Sequence, residues 1–283
     1  MIKPQDKYVL GRHKKESERL NLQHNLLSKI TSNFLIHPSI PTGDIISVAD
    51  VATGTGVWLD EVSQVLDNNK NSQQHYYHGF DISSAQFPEE LPMTDLHFSV
   101  QDITSPFPQE HLNKYDLVHV RLLIAALEES EYKTALTNIS AILKPGGYLQ
   151  WEEIDEETYM HSNNPVIREM RRCFDISLRV EGKCFAASAK VYEECKATGF
   201  LDAERLEYSS ESISESGLRS DKDEWFAALI ETLYARLLMR SREVPDQDAA
   251  AKRAAELIEQ HWALCKEGMS SPLKAMRVVA RKA

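Results

Sequence analysis

The chain opens with a helical pattern of apolar residues and then changes to short apolar runs. From Glu16 to Leu35 one stripe recurs at steps of seven, three and four, formed by Leu20, Leu27, Ile30 and Phe34. This spacing predicts an amphipathic helix, closed by the proline-containing stretch at 37–43. The runs that follow are typical of buried strands.

Five apolar runs in the first half of the chain predict strands, at Ile45–Val51, Tyr76–Ile82, His97–Ile103, Tyr115–Val120 and Tyr148–Ile154. Helices are predicted at Val57–Leu66 and Glu129–Leu143. Two prolines in Ser83–Asp95 favour a loop there, and Lys144–Gly147 is predicted to be a turn. Strands joined by helices pair in parallel through right-handed crossovers, so the pattern predicts an α/β fold with helices on both faces of a sheet.

The second half of the chain is mainly helical. Four helices are predicted, at Pro165–Glu181, Ser188–Thr198, Asp223–Ser241 and Asp246–Lys266. Two further strands are predicted, at Leu201–Tyr208 and Leu273–Arg281. We therefore expect an N-terminal helical lid at 1–43 and one domain at 44–283, with helical insertions at about 160–198 and 223–268.

Charge and composition limit the classes of partner that this chain is expected to bind. The chain has 283 residues, 32 basic and 43 acidic, for a net charge of −11. This balance repels phosphate backbones, and the basic clusters Arg12–Lys15 and Arg168–Arg172 are typical of solvated helix faces, so no nucleic-acid partner is expected. The start of the chain does not resemble a signal peptide, and no apolar run approaches the roughly 18 residues of a membrane span. A cytoplasmic protein without a membrane partner is expected, and its protein partners stay open.

The four cysteines form no CxxC pair. Neither their spacing nor neighbouring histidines suggested a zinc site. Reduced thiols and no metal are therefore predicted.

The first strand ends in a turn of small residues, Asp50-Val51-Ala52-Thr53-Gly54-Thr55-Gly56. Small residues at the carboxyl end of a parallel strand let a ligand approach the backbone, and the next helix offers unpaired N–H groups. A dinucleotide fingerprint counted from Gly54 would need a third glycine where Leu59 stands. An acid followed by small residues at alternate positions is the pattern that remains.

Together with Leu143-Lys144-Pro145-Gly146-Gly147-Tyr148 before the fifth strand, this turn resembles the class I S-adenosylmethionine-dependent methyltransferases over about Asp44 to Glu153. The stretches 8–27 and 270–283 resemble a narrower group, the fungal secondary-metabolite methyltransferases, which are related to a regulator of that metabolism. The resemblance implies a Rossmann-like, seven-stranded, mostly parallel sheet in the order 3-2-1-4-5-7-6. It also implies S-adenosyl-L-methionine as the cofactor.

The resemblance places the turn against the methionine part of the cofactor. It implies that Asp50 helps to hold the ammonium group and that the backbone of Ala52, Thr53, Gly54 and Gly56 lies beside it. Ala52 stands where the family has its first glycine, which adds one methyl group at a close approach.

Residues that end the next two strands are implied to hold the ribose and the adenine. Asp81 would accept both ribose hydroxyls, and Ile82 would pack on the adenine. Asp102 would accept from the adenine amino group, with Ile103 stacked beside the ring. The alternatives are an N-cap or Asx turn for Asp81 and a cap of the following turn for Asp102.

Val120 and Arg121, at the end of the fourth strand, are implied to line the methionine end through a backbone carbonyl and a side chain. A surface ion pair is the alternative for Arg121. The lid is expected to bring Tyr8, Arg12, Gln23 and His24 over the cofactor and acceptor, although an inward histidine is more often a core residue.

The acceptor pocket is expected to involve Phe174 and Trp225, for which core packing is the alternative. No spacing selects a base among His119, Glu153 and His161, so the catalytic residues are left unassigned.

Methyl transfer to a small-molecule secondary metabolite is the predicted function. A thiol, with a pKa of about 8.5, needs little help to react, so it is slightly favoured over hydroxyl or amine. The Asn/Asp-Pro-Pro-aromatic motif of enzymes that methylate amide or exocyclic nitrogens is not present at 118–122. The alternative is a non-catalytic or partner-dependent regulator of secondary metabolism that keeps the fold, and a nicotinamide-dependent reductase is weaker still.

Overall fold

Seven strands form one sheet in the order β3-β2-β1-β4-β5-β7-β6. The computed structural model describes residues 14–68, 74–89, 95–154, 162–180, 182–213 and 217–283. The first five strands pair in parallel, and β7 is antiparallel to both of its neighbours. The strands are β1 Ser47–Val51, β2 Tyr76–Asp81, β3 Leu96–Val100, β4 Tyr115–Arg121, β5 Leu143–Ile154, β6 Leu201–Ser209 and β7 Lys274–Arg281. The predicted fold class and strand order are confirmed.

Helices surround this sheet, and every predicted helix is confirmed. They are α1 Lys14–Ile30, α2 Val57–Asn68, α3 Tyr132–Ile142, α4 Pro165–Val180, α5 Ala187–Ala197, α6 Leu218–Arg240 and α7 Gln247–Lys266. Across the described residues, none of these helices combines the length and apolar character that a bilayer crossing requires.

The first helix ends earlier than its apolar stripe predicts. The Thr31 hydroxyl donates to the carbonyl of Leu27 at 3.0 Å, and Ser32 and Asn33 then take left-handed φ values of 58° and 60°. Phe34 lies beyond this turn and is 48% exposed. Its place on the predicted stripe was therefore wrong, because the helical spacing no longer applies after the chain turns.

The predicted turn at Lys144–Gly147 lies inside β5. The pairing of β5 with β4 shifts between Tyr115 and Leu117, which is the signature of a bulge. A Cβ on Gly147 would lie 3.0 Å from the carbonyl oxygens of Lys144 and Tyr115. The glycine is thus needed where the two backbones approach, and the stretch kinks a strand instead of preceding it.

The strands bury both faces of the sheet. Val48 and Leu117 face a cluster that includes Trp58 of α2, while Ala49 and Val118 face the larger cluster on the other side. Burial on both faces explains why these strands are continuous apolar runs in the sequence. The ends of β1, β2, β3 and β4 consequently meet at one edge of the sheet.

His78 makes the fold sensitive to acid. It is buried in β2, with Nε2 2.9 Å from the Ser99 hydroxyl and Nδ1 2.8 Å from the Tyr76 hydroxyl. Burial, and then the charges of His111, His97 and Lys114, lower the pKa of His78 to about 3. Because the unfolded pKa is about 6.5, this neutral histidine favours folding above that pH and costs stability as the pH falls from 6.5 towards 3.

Between pH 7 and pH 5, we expect the free energy of unfolding to fall by roughly 2 kcal/mol less in His78→Gln than in the native protein. Urea unfolding of both proteins at the two pH values measures this difference. Between pH 7 and pH 8 the two proteins should show the same pH dependence. Equal losses on acidification would show that His78 is not the cause.

Candidate functional site

The turn between β1 and α2 has a left-handed backbone at alternate positions. The φ angles are 63° at Ala52, 55° at Gly54 and 76° at Gly56. A Cβ on Gly56 would lie 2.7 Å from the ring of Phe98, and one on Gly54 would lie 3.3 Å from the Leu20 methyl group in α1. The glycines therefore let the turn pack closely between Phe98 of β3 and Leu20 of α1.

Ala52 holds a conformation that costs an alanine about 1–2 kcal/mol relative to glycine in the same state. After the greater chain entropy of unfolded glycine is subtracted, we expect Ala52→Gly to raise the free energy of unfolding by roughly 0.5–1 kcal/mol. Urea unfolding gives the value. Ala49→Gly, in the buried part of the same strand, is the control and should destabilise. A loss of stability in both variants would contradict the strain assigned to Ala52.

Asp81 ends β2 and connects that strand to the turn. Its Oδ2 accepts from the amide of Gly54 at 3.0 Å, and its Oδ1 accepts from the amide of Ser83 at 3.1 Å. The second bond is the Asx turn given above as the alternative role. Both bonds hold the carboxylate across the mouth of the turn, in one fixed orientation.

Asp102 and Ile103 follow β3 on the same edge. Asp102 Oδ1 accepts from the amide and the hydroxyl of Thr104, at 2.9 and 2.7 Å, so its capping role is present. Ile103 is buried, and its carbonyl accepts from Asn138 at 2.8 Å. Ile82 is more exposed and lies across the same opening.

One cleft joins these strand ends to α1, α4 and α6. It encloses about 1300 Å³ of empty volume, the open mouth included. Eleven of the residues predicted for the site line it: Gln23, Ala52, Thr53, Gly54, Asp81, Ile82, Asp102, Ile103, Arg121, Phe174 and Trp225. Four others, Asp50, Gly56, Val120 and His24, are not among its lining residues. Tyr8 and Arg12 lie outside the described residues.

Asp50 supports the turn from below. Its Oδ2 accepts from the Thr53 hydroxyl at 2.6 Å, and its Oδ1 lies 2.7 Å from Nδ1 of His119. The His119 ring stacks on Trp58 with 3.7 Å between centroids. Both Asp50 and His119 are buried, so neither side chain reaches the cleft. Val120, completely buried in β4, can face a ligand only through its backbone.

Glu153 holds the part of the wall that follows β4. Its carboxylate accepts from the amides of Leu123 and Ile124, at 3.0 and 3.3 Å, and from Nε1 of Trp151 at 2.9 Å. These bonds fix a short 3-10 turn at Leu123–Ala125, which lines the cleft. Glu153 therefore caps this turn and is not among the residues that line the cleft, while His161 lies outside the described residues.

His24 lies behind Arg121. Arg121 Nη1 is 3.1 Å from Nδ1 of His24, and Nε2 of His24 is 3.0 Å from the Glu61 carboxylate. A guanidinium only donates, so Nδ1 must accept and Nε2 carries the proton. Burial, and then the charge of Arg121, lower the pKa of His24, against the opposing effect of Glu61.

His24 is thus a neutral, fully buried core residue that positions Arg121. The geometry does not support direct contact between His24 and a substrate, because the Arg121 guanidinium lies between His24 and the cleft. Arg121 itself lines the cleft, so the surface ion pair given as its alternative is wrong.

The sequence predicted Gln23 over the cofactor and acceptor, but its polar neighbours on α1 were missed. Arg19 lines the cleft and is paired with Glu16 through two bonds of 2.9 and 2.7 Å. With its amide oriented to satisfy both neighbours, Gln23 accepts from Arg19 Nη1 and Trp225 Nε1, each at 3.2 Å. The signal was the helical spacing of Glu16, Arg19 and Gln23, which puts all three on one face.

Comparison with known proteins finds similarity to methyltransferases. A family model described as a methyltransferase domain matches residues 49–149. The chain is 42% identical over 160 residues to the methyltransferase grgD of a Penicillium species, covering 56% of each protein. It is 33% identical over 147 residues to the N-methyltransferase sirN of Leptosphaeria maculans, covering 52% of this chain and 49% of the relative. The chain thus spans about half the length of the curated relatives it matches.

A regulator and a solved structure extend the comparison. The secondary metabolism regulator LAE1 of Hypocrea atroviridis is 25% identical over 203 residues, covering 69% of this chain and 56% of the regulator. The solved structure is a phosphoethanolamine N-methyltransferase 2 of Haemonchus contortus in complex with phosphomonomethylethanolamine and S-adenosylhomocysteine. It has a TM-score of 0.51 at 14% identity, covering 92% of this chain and 53% of that one, which supports the fold. Residues 49–149 thus match a methyltransferase domain, and the strand order is the one that the resemblance to the class I S-adenosylmethionine-dependent methyltransferases implies.

Proposed function

We propose that this protein transfers a methyl group from S-adenosylmethionine to an amine nitrogen of a small-molecule secondary metabolite. One observation carries the proposal: a single cleft joins the turn held by Asp81 to an apolar compartment. That compartment is lined by Leu123, Ile124, Leu127, Phe174, Trp225 and Leu229. Two adjoining environments of this kind suit a polar cofactor and an organic acceptor that must meet it.

The residues of the turn fit the cofactor. The left-handed backbone at Gly54 disfavours a side chain, and a Cβ there would lie 3.3 Å from Leu20, while the Asp81 carboxylate is already oriented by two amides. Asp81 would hold the ribose hydroxyls, and Ile82, Asp102 and Ile103 the adenine, as the family resemblance implies. The cofactor supplies a methyl group already activated on positively charged sulfur.

The apolar compartment favours a neutral amine. Removing an amine from water lowers its pKa, so the nitrogen keeps the lone pair that attack on a methyl group requires. Among the described lining residues the carboxylates are Asp81 and Asp102, both on the β2–β3 side, away from the aromatic wall. A neutral amine needs no base before attack and can release its proton to water afterwards.

The comparisons change the acceptor atom that we expect, from sulfur to nitrogen. The sequence slightly favours a thiol, whereas relatives such as sirN carry N-methyltransferase in their names. Nitrogen therefore becomes the first choice for this chain, with sulfur and oxygen as outcomes that the experiment distinguishes.

The chain's own task is to orient the acceptor and exclude water. Leu20 covers the turn, and the Asn21 carboxamide oxygen accepts from the Thr55 hydroxyl at 2.8 Å, which ties α1 to the turn. Trp225 and Gln23 connect α6 to α1 over the apolar compartment. Fixed orientation of two reactants contributes several kcal/mol to a rate, so these contacts are expected to matter for turnover.

The test is transfer of a deuterated methyl group. Matched small amines, thiols and alcohols, and fungal metabolite extracts, are incubated with labelled cofactor and analysed by mass spectrometry. We expect label on nitrogen, loss of labelling in Asp81→Ala, and unchanged labelling in Asp248→Ala, which changes an exposed carboxylate in α7. Label on sulfur or oxygen would refute the nitrogen assignment, and no label from any acceptor would refute the activity.

A regulator is the second proposal, favoured by the similarity to LAE1, which extends over more of this chain than the matches to grgD and sirN. A non-catalytic regulator would bind the cofactor with no labelled product, and would retain protein partners from a fungal extract. Labelled product formed by the purified chain alone would count against it.

A further inference from the structure

A second group of chemically active side chains lies away from the cleft, between α6 and α7. Asp223 is in the first turns of α6, and His261 and Cys265 are in the last turns of α7. One ligand atom from each lies within 4.8 Å of the others. Asp223 and His261 are buried, and none of the three lines the cleft. This arrangement has no role in the proposed methyl transfer.

Neighbouring groups hold two of these side chains in the orientation that metal ligands need. His261 Nε2 is 3.0 Å from the backbone oxygen of Asp223, so when Nε2 bears the proton, Nδ1 has the lone pair. Sγ of Cys265 is 3.9 Å from Nδ1 and 3.6 Å from Nε2 of His261. The Ser270 hydroxyl donates to Asp223 Oδ1 at 2.6 Å. Metal-binding imidazoles and carboxylates are commonly oriented by hydrogen bonds of these kinds.

The types of donor atom in this cluster favour zinc over other metal ions. A thiolate, an imidazole and a carboxylate suit zinc, whose bonds of about 2.0–2.3 Å place tetrahedral donors roughly 3.5 Å apart. Sulfur lies 3.6–3.9 Å from the two imidazole nitrogens, and the three ligand atoms lie within 4.8 Å of one another, so side-chain rotations that draw them together by roughly 1 Å would complete the geometry. We propose that Asp223, His261 and Cys265 form a zinc site that joins the start of α6 to the end of α7.

The charge balance at this site is compatible with a divalent ion. Without a metal, a cysteine thiol with an ordinary pKa of about 8.5 keeps its proton at neutral pH. Binding of zinc would release that proton to solvent and form the sulfur–zinc bond. The carboxylate and thiolate would then neutralise the two charges of zinc, whereas the nearby cations Lys222 and Arg219 oppose its binding.

The site would also support the wall of the cleft. Trp225 lies on the same helical turn as Asp223, and it lines the apolar compartment. A metal that fixes the first turns of α6 would therefore hold Trp225 against α1.

Zinc content of the full chain is the first test. The protein is loaded with zinc, dialysed against metal-free buffer and analysed by elemental mass spectrometry. We expect stoichiometric zinc in the native protein, and zinc affinity reduced at least tenfold in Cys265→Ser and His261→Gln. Cys195→Ser is the control, because Cys195 is a buried thiol on α5 outside the cluster. Equal zinc retention by Cys265→Ser and Cys195→Ser would overturn the site.

Cobalt provides a readout that does not depend on a variant folding. With cobalt in place of zinc, the native protein should show thiolate-to-cobalt charge-transfer absorption, which Cys195→Ser keeps and Cys265→Ser loses. Zinc should also raise the melting temperature of the native protein. A folded native protein with neither retained zinc nor this absorption would refute the proposal.

Discussion

Arg277→Met should lower the free energy of unfolding by about 3–5 kcal/mol, the cost of removing one partner from a buried ion pair. The Arg277 guanidinium donates to Glu152 Oε1 from Nη2 at 2.6 Å and from Nε at 2.8 Å. Both side chains are buried between β5 and β7. Methionine fills much of the same space but leaves the carboxylate without its main counter-charge.

The environment of Glu152 explains why the cost is high. Burial alone would raise the pKa of Glu152, but Arg277, and then His119 and Arg121, outweigh burial and hold it below its ordinary value. Glu152 is thus ionised at neutral pH and depends on its cations. Arg277 Nη2 also donates to the carbonyl of Phe34 at 2.8 Å, so the substitution releases the segment after α1 as well.

Urea unfolding at pH 7 measures this loss. Lys274→Met, on the same strand, is the matched control, since Lys274 pairs with Glu207 at 2.6 Å with side chains 25% and 48% exposed. An exposed pair contributes about 1 kcal/mol or less. Arg277→Met combined with Glu152→Leu should recover part of the stability, because the carboxylate that lost its main cation is removed, while Arg121 loses one of its counter-charges. Equal costs for the two single variants would contradict the assignment.

Asp81→Ala should weaken binding of S-adenosylmethionine by about 1.5–3 kcal/mol, roughly 10- to 150-fold in dissociation constant. The carboxylate stands at the mouth of the turn, where it would accept from both ribose hydroxyls. Its bonds to Gly54 and Ser83 also orient the turn, so alanine removes the acceptor and loosens the surface around it.

Titration calorimetry with S-adenosylmethionine and S-adenosylhomocysteine measures the change, with circular dichroism to confirm folding. Asp81→Asn should lose less affinity, since its carbonyl oxygen still accepts one bond while its amide group opposes the other. Asp248→Ala should bind as the native protein does. Native affinity in a folded Asp81→Ala protein would remove Asp81 from the cofactor site.

The fold could be predicted because its signals are local. Strands buried on both faces are apolar runs, as at Ser47–Val51, and breakers separate them from the helices. The family resemblance then supplied the strand order. Positions that depend on backbone geometry, such as Gly54 and Asp81, could be placed because the carboxyl ends of neighbouring parallel strands meet.

The directions of polar side chains could not be predicted in the same way. Asp50 points below the turn because its carboxylate accepts from the Thr53 hydroxyl there and lies against Nδ1 of His119. His119 is far from Asp50 in the sequence. Arg19 was missed because a charged residue is usually solvated, whereas its ion pair with Glu16 allows both side chains to be buried. Such partnerships form only when the elements pack.

The cluster of Asp223, His261 and Cys265 was missed for a related reason. His261 and Cys265 share one helical face, which the sequence does show, but the third ligand comes from another helix. The packing of α6 against α7 brings them together, and no motif of fixed spacing records that packing.

A crystal structure of the protein grown with S-adenosylhomocysteine tests the central claim most directly. The sulfur end should lie over the turn at Ala52–Gly54, with both ribose hydroxyls within hydrogen-bond distance of the Asp81 carboxylate. Density for the ligand elsewhere, with the turn and Asp81 in no contact with it, would contradict the account.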